Sequence, residues 1–232
     1  MRGLRWALVA ALAGGCPIGG DGALAEETRA LGEFSALEVF DGFAVEVWVE
    51  AEAAPSITVR GDENLLPRFY TEVRPGTHLS VALQPTREVR PTTRPEALLV
   101  TPRLTSVYAE DDSRVTIAGA AGDLTVKTAG SATVAVEGSL GAATATALEA
   151  GGGTWTGSAG SLTVTLTGTG AIDAGGLTVA GDAEVTISGG GTATICALGE
   201  VRGVVTRGTL RLACTPAQVT VEVGPEGAVG PA

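Results

Sequence analysis

An all-β chain folded mainly as a parallel β-helix is the expectation, and three observations predict it. From about residue 104 the chain is built of short apolar-Thr-apolar triplets: Val115-Thr116-Ile117, Leu124-Thr125-Val126, Leu162-Thr163-Val164, Leu177-Thr178-Val179, Val185-Thr186-Ile187 and Val219-Thr220-Val221. Period-two alternation in short runs places Val, Leu and Ile inward and Thr outward on half-buried strands. Secondly, 24 of the 34 glycines fall in this region, between the triplets, where they supply tight corners. Thirdly, corner residues recur at a steady pitch. Ser113, Ser131, Gly153, Gly170, Gly191, Gly208 and Gly227 are separated by 18, 22, 17, 21, 17 and 19 residues, a mean of 19. A solenoid whose coils stack like residue on like residue accounts for such a pitch, and an antiparallel meander does not. About seven coils of roughly 19 residues are expected, right-handed by the crossover rule. The alternation of short and long spacings predicts longer corners at 138–143 and 175–182.

The N-terminus reads as an address. Arg2 and Arg5 precede the apolar run Trp6–Ala13, which is too short to span a bilayer, as an export signal requires. Two processing sites are expected. Ala23-Leu24-Ala25 before Glu26-Glu27 satisfies the small-x-small rule for cleavage between Ala25 and Glu26, giving a signal peptide of 1–25 and a short linker of 26–33. Cys16 is the alternative, a lipidation site after Leu12-Ala13-Gly14-Gly15. No later segment has the continuous apolar length of a membrane helix, so the mature chain is expected to carry none.

A single solenoid domain is expected over 34–229, with a tail of 230–232. Its first part, 34–103, is a different kind of strand region. Phe43, Val45, Val47 and Val49 face one side while Ala44, Glu46, Trp48 and Glu50 face the other, and Ile57, Val59, Leu79, Val81 and Leu83 continue the pattern. Such bulky strands suit the closing of a solenoid end, which left bare would template aggregation. Residues 84–103 hold Pro85, Pro91, Pro95 and Pro102, so a loop or edge segment is expected with one strand at 97–100. Residues 60–103 carry seven Arg against five acids, an asymmetry that could mark an electrostatic contact surface. The second part, 104–229, holds the Gly/Thr-rich coils.

Gly42-Phe43-Ala44-Val45-Glu46-Val47, then Val59-Arg60-Gly61-Asp62-Glu63-Asn64-Leu65-Leu66, then Thr71-Glu72-Val73-Arg74 before Gly76-Thr77-His78-Leu79 resemble the bacterial putative auto-transporter adhesin, head GIN domain family. The resemblance covers roughly 34–229. Family coils read Ser-Gly-Ala-Gly-Asp before a strand. This chain keeps the glycines at Thr167–Gly170 and Ser188–Gly191 but has Ala171 and Thr192 where Asp would stand. The resemblance implies an exported β-solenoid of surface or envelope type with an adhesin-like role.

Composition removes much chemistry. The formal charge of -11, or -12 once 1–25 is removed (13 cations minus 25 acids), repels a phosphate backbone, and nucleic-acid binding is not expected. His78 is the only histidine and has no Gly-x-Ser-x-Gly elbow to serve; with Cys196 and Cys214 it falls short of a zinc site. Neither a P-loop nor a dinucleotide fingerprint is present. Glu110-Asp111-Asp112 is a dense acidic run at a corner, but the serial Gly-Gly-x-Gly-x-Asp of calcium-binding β-rolls is lacking. No cofactor, metal or catalytic residue is therefore assigned. Cys196 and Cys214 lie 18 residues apart, one coil, and in an oxidising compartment a disulfide between adjacent coils is expected. Thr144-Ala145-Thr146 and Thr163-Val164-Thr165 resemble the Thr-x-Thr arrays of ice-binding solenoids, although they are not repeated in every coil.

The functional expectation is a non-catalytic interaction module of the cell envelope or surface, periplasmic or lipid-anchored, whose partner is a protein or glycan. One alternative is a β-helix enzyme acting on an acidic polysaccharide, which would need Arg202, Arg207 and Arg211 to meet Asp182, Glu184 or Glu200 in one cleft. A purely structural envelope protein is the other.

Overall fold

The computed structural model describes residues 17–84 and 88–232. In chain order its N-terminal strands are β1 (Ile18–Gly19), β2 (Leu24–Ala30), β3 (Ala36–Val39), β4 (Ala44–Val49) and β5 (Ser56–Asp62). A 3-10 turn, Glu63–Arg68, leads to β6 (Phe69–Arg74), β7 (His78–Leu83), β8 (Val89–Arg90), β9 (Glu96–Thr101) and β10 (Ser106–Ala109). The coils follow as β11 (Arg114–Thr128), β12 (Thr133–Ala147), β13 (Gly152–Leu166), β14 (Ala171–Val179), β15 (Ala183–Ile187), β16 (Thr192–Ala197), β17 (Glu200–Leu212) and β18 (Gln218–Pro231).

From β10 onward every pairing is parallel, and the chain is a β-solenoid of about seven turns. Its inward column Val115, Val134, Gly153, Ile172, Ala193, Leu210 and Val229 advances by 19, 19, 19, 21, 17 and 19 residues. The corner before it runs Ser113, Ala132, Gly151, Gly170, Gly191, Gly208 and Gly227. Two of the expected anchors, Ser131 and Gly153, thus sit beside the true corner, because a small residue stands on either side of it and sequence alone does not rank them. The regular alternation of spacings disappears with them. The expected long corner at 138–143 is no insertion, since Gly138 to Leu140 pair one-to-one with Gly157 to Ala159 inside continuous strands. The one at 175–182 is real: a shift between Asp173 and Gly176 and another between Val179 and Ala183 add two residues to that coil.

The N-terminal region closes one end, in an order that differs from chain order. β3 and β4 form a coil directly beneath β10 and β11, and the chain then leaves for some fifty residues before returning. During that excursion β7 and β9 add a parallel layer under β3 and β4, while β2, β5 and β6 pair antiparallel as the outer cap. Antiparallel strands suit this position because they need no crossover and can leave one face solvated. Phe43, Leu65, Leu66 and Phe69 fill the end of the core beneath them. At the opposite end no described residue covers the last coil, and its inward Val219 and Val223 are 46% and 47% exposed.

Residues 26–33, expected as a linker, supply Glu26–Ala30 to β2, and the last coil runs to Pro231 rather than stopping at 229. The first thirteen residues of the expected export signal and Cys16 lie outside the described residues.

Candidate ligand-binding trough

Outward side chains of the capped end form rows that cross the sheet. One row, read across five neighbouring strands, is Glu26, Arg60, Glu96, Ala44 and Arg114. The next is Thr28, Thr58, Leu98, Glu46 and Thr116. Ala44 is the only short side chain in a row of long charged ones, and a depression opens above it. The result is an open trough of about 700 Å³, floored by Ala44, Leu98, Thr58 and Thr116 and walled by the Glu and Arg side chains. Glu96 and Arg114 stand two strand spacings apart across Ala44, about 9.6 Å.

The walls are partly tied together. Arg60 lies between Glu26 and Glu96, with Nε 3.7 Å from Oε1 of Glu26 and Nη1 3.6 Å from Oε2 of Glu96. Among the described residues Arg114 has no ion-pair partner. Trp48 lies just beyond the trough's lining, two places along β4 from Glu46, and its indole Nε1–H donates to Glu46 Oε1 at 3.0 Å. Trp48 and Leu98 are each 43% exposed and stand diagonally across the β4–β9 pair, Leu98 opposite Glu46 and Trp48 opposite Val100. The indole is thus oriented by its own N–H while much of its ring faces solvent.

A second cleft, of about 570 Å³, lies over the other face of the cap between Phe40, Tyr70, Arg74, Leu83 and Asp41. Here the acidic corner is already engaged by protein groups. Asp111 accepts the Asp41 N–H at 3.2 Å, Asp112 pairs with Arg94 at 2.6 Å, and Glu110 accepts the Tyr108 hydroxyl at 2.8 Å. Burial and the neighbouring Glu110 push the Tyr108 phenol up to about 12, so it serves as a neutral donor. Desolvation raises the Asp41 carboxyl above its usual value, with Asp111 adding to the effect against the Leu83 N–H.

The other sequence-selected residues are dispersed. Cys196 and Cys214 form a disulfide, with Cα atoms 4.9 Å apart, stapling the last coils on their outer side. Ala25 and Glu26 face Gly61 and Arg60 in the middle of a strand pair. His78 is exposed, 3.8 Å from Glu38. Arg202 pairs with Glu184 at 3.7 Å on one face and Arg207 with Glu226 at 2.7 Å, while Arg211 lies on the other face beside Thr194; Asp182 accepts the Glu200 N–H at 2.8 Å. The single cleft required by the polysaccharide-enzyme alternative is not formed by these side chains. Trp155, an aromatic that such an enzyme could use, is buried in the core. Of the arginines of 60–103, Arg60, Arg74, Arg90 and Arg94 are spread over separate pairs with Glu26 and Glu96, Glu38, Glu88 and Asp112 respectively. Thr144 stacks on Thr163 and Thr146 on Thr165, but Lys127 and Glu184 interrupt the two rows on either side.

The trough itself was not singled out by sequence. Its signal was present in the alternation that turns Ala44, Glu46 and Trp48 outward; what the sequence lacked was the pairing of that strand with two strands from fifty and seventy residues later.

The fold is a capped parallel β-solenoid that carries an open polar trough on its capped end. The family model described as putative auto-transporter adhesin, head GIN domain, matches residues 33–216, and the chain belongs to this family. The structure of a putative adhesin from Bacteroides fragilis NCTC 9343 is similar with a TM-score of 0.82 and 16% identity, over 93% of this chain and 100% of that one. A putative adhesin from Parabacteroides merdae ATCC 43184 matches with a TM-score of 0.69 and 21% identity, over 93% and 98% of the two chains. A putative lipid binding protein from Parabacteroides distasonis ATCC 8503 matches with a TM-score of 0.67 and 17% identity, over 93% and 99%. At these identities the likeness is one of fold. No curated protein matches the chain.

Proposed function

We propose that this protein is an exported, non-catalytic β-solenoid of the cell envelope or surface that recognises another molecule through the trough at its capped end. The observation that carries the reading is the exposed Trp48 and Leu98, diagonal across the β4–β9 pair, close to the Glu26–Arg60–Glu96 charge cluster, on a sheet whose other polar groups are scattered singly or already paired. Family membership supports the adhesin-like role. A lipid-binding reading, suggested by one neighbour in fold, has less support: the trough is open and walled by charges, and the solenoid interior is filled by side chains such as Val126, Val134, Trp155 and Ile172.

Export is part of the same proposal, with Arg2–Ala13 as the signal. Of the two processing sites, Cys16 fits the fold better. Cleavage between Ala25 and Glu26 would remove β1, the Leu24 and Ala25 positions of β2, and the Gly22 amide that Asp62 holds. The interaction reading is tested by incubating purified mature protein with envelope fractions and extracellular-matrix preparations. Saturable binding that Trp48→Ala abolishes supports it; absence of binding to every fraction overturns it.

A further inference from the structure

We infer that the trough takes a neutral oligosaccharide, laid over Ala44 with one sugar ring against Trp48. The inference rests on the interaction-module reading and names the ligand class of that site. Four features carry it. The floor is strand interior, since β5, β9 and β4 are each hydrogen-bonded on both sides, so no free backbone edge is offered to an added peptide strand. What the trough presents is side-chain chemistry alone: carboxylates that accept and guanidinium groups that donate, the complement to hydroxyls, which do both. The walls hold three carboxylates, Glu26, Glu46 and Glu96, against two cations, Arg60 and Arg114, a net of -1. That balance opposes a phosphate, sulfate or uronate chain and offers too little charge to hold a basic one. Finally, Leu98 in the trough and the exposed Trp48 indole just beyond it, held to the lining residue Glu46, offer apolar surface to the C–H face of a pyranose ring while its edge hydroxyls reach the walls.

The geometry divides the work. Arg60 stands between Glu26 and Glu96 as their shared counter-charge, 3.7 Å and 3.6 Å away, and leaves both carboxylates facing the trough as acceptors. Arg114, across Ala44, is the donor left available. The Glu46 carboxylate orients the indole through its N–H, so Glu46 acts on the sugar partly through Trp48.

Trp48 makes a direct test possible. Of the three tryptophans, Trp6 lies in the expected signal and Trp155 is 2% exposed in the core, so in the mature protein the solvent-sensitive emission belongs to Trp48. Titration with the neutral probes cellohexaose, laminarihexaose and mannohexaose, and with hexagalacturonate as the acidic probe, should shift the emission to shorter wavelength for at least one neutral probe and not for the acidic one. Trp48→Ala should weaken that binding at least about tenfold by calorimetry, and Arg114→Gln should also weaken it. Arg211→Gln, at the far end of the same sheet face, should leave it unchanged. Binding of the acidic probe alone, or neutral-probe binding that Trp48→Ala leaves intact, overturns the inference. If no probe binds while envelope fractions still bind and lose binding in Trp48→Ala, the glycan class is wrong and the trough stands; if envelope fractions fail too, the interaction-module reading itself fails.

Discussion

Asp62 Oδ1 accepts the backbone N–H of Gly22 at 2.8 Å, across forty residues of chain, and its other oxygen accepts the N–H of Thr92 at 2.8 Å and of Thr93 at 3.3 Å. The carboxylate is fully buried. It therefore pins the segment before β2 and the Pro-rich loop to the end of β5, with Asn64 assisting by donating to Gly19 O and accepting from Asp21 N. Asp62→Ala leaves three backbone donors without their acceptor and should destabilise the protein by about 2–4 kcal/mol in denaturant titration. Under the proposed export, the same arrangement predicts that the processed chain retains residues 17–25. Intact-mass measurement should find a lipid-modified chain starting at Cys16, and a mature terminus at Glu26 would show the prediction wrong.

The Cys196–Cys214 disulfide closes a loop of 18 residues near the uncovered end of the solenoid. Cross-linking a loop of this length stabilises by about 3 kcal/mol, chiefly through the unfolded chain. Cys196→Ser with Cys214→Ser should lower the denaturation midpoint accordingly, and reductant should lower the wild-type midpoint while leaving the double variant unmoved.

Thr128 is buried with an unpartnered hydroxyl, in a column that otherwise reads Ala109, Ala147, Leu166, Ile187 and Val205. Valine has nearly the same shape and no group to desolvate. Thr128→Val should raise stability by about 1 kcal/mol, measured by urea unfolding with an unchanged m-value.

Asp41 carries a pH dependence of determinate sign. Its carboxyl is raised above 3.8 by desolvation in the second cleft, with Asp111 opposing its ionisation. The native state therefore holds this proton to higher pH than the unfolded chain does. The stabilisation is complete below the unfolded value of 3.8 and is lost as pH rises through the raised native value. Asp41→Asn, whose side-chain oxygen can still accept the Leu83 N–H, should gain stability relative to wild type as pH rises across that window. Unfolding midpoints measured from about pH 3 to 6 should diverge in that direction; a constant difference would refute the assignment.

The trough and its neighbourhood show where sequence reading stops. Alternation in β4 placed Val45 and Val47 inward and Ala44, Glu46 and Trp48 outward, and all of these positions are so oriented. Nothing local indicated that Leu98 would come to lie beside Glu46, or that Arg60 would stand between Glu26 and Glu96, because those pairings span roughly 35 to 70 residues and depend on the excursion after β4. The second cleft, likewise, joins Asp41 to Asp111 through stacked coils.

Sequence by itself determined the solenoid, its 19-residue pitch, the inward and outward faces of β4 and of the coil triplets, and the coil spacing that brings Cys196 to Cys214. These follow from period-two patterning and from a repeat in which each coil contacts only its neighbours, so local information suffices. Only the tertiary structure decided the order of strands in the cap, the true corner column, the incorporation of residues 17–30 into the fold, and the trough over Ala44. Each of these depends on contacts between segments far apart in the chain, whose pairing is selected by burial and backbone hydrogen bonding across the whole end of the solenoid rather than by any local pattern.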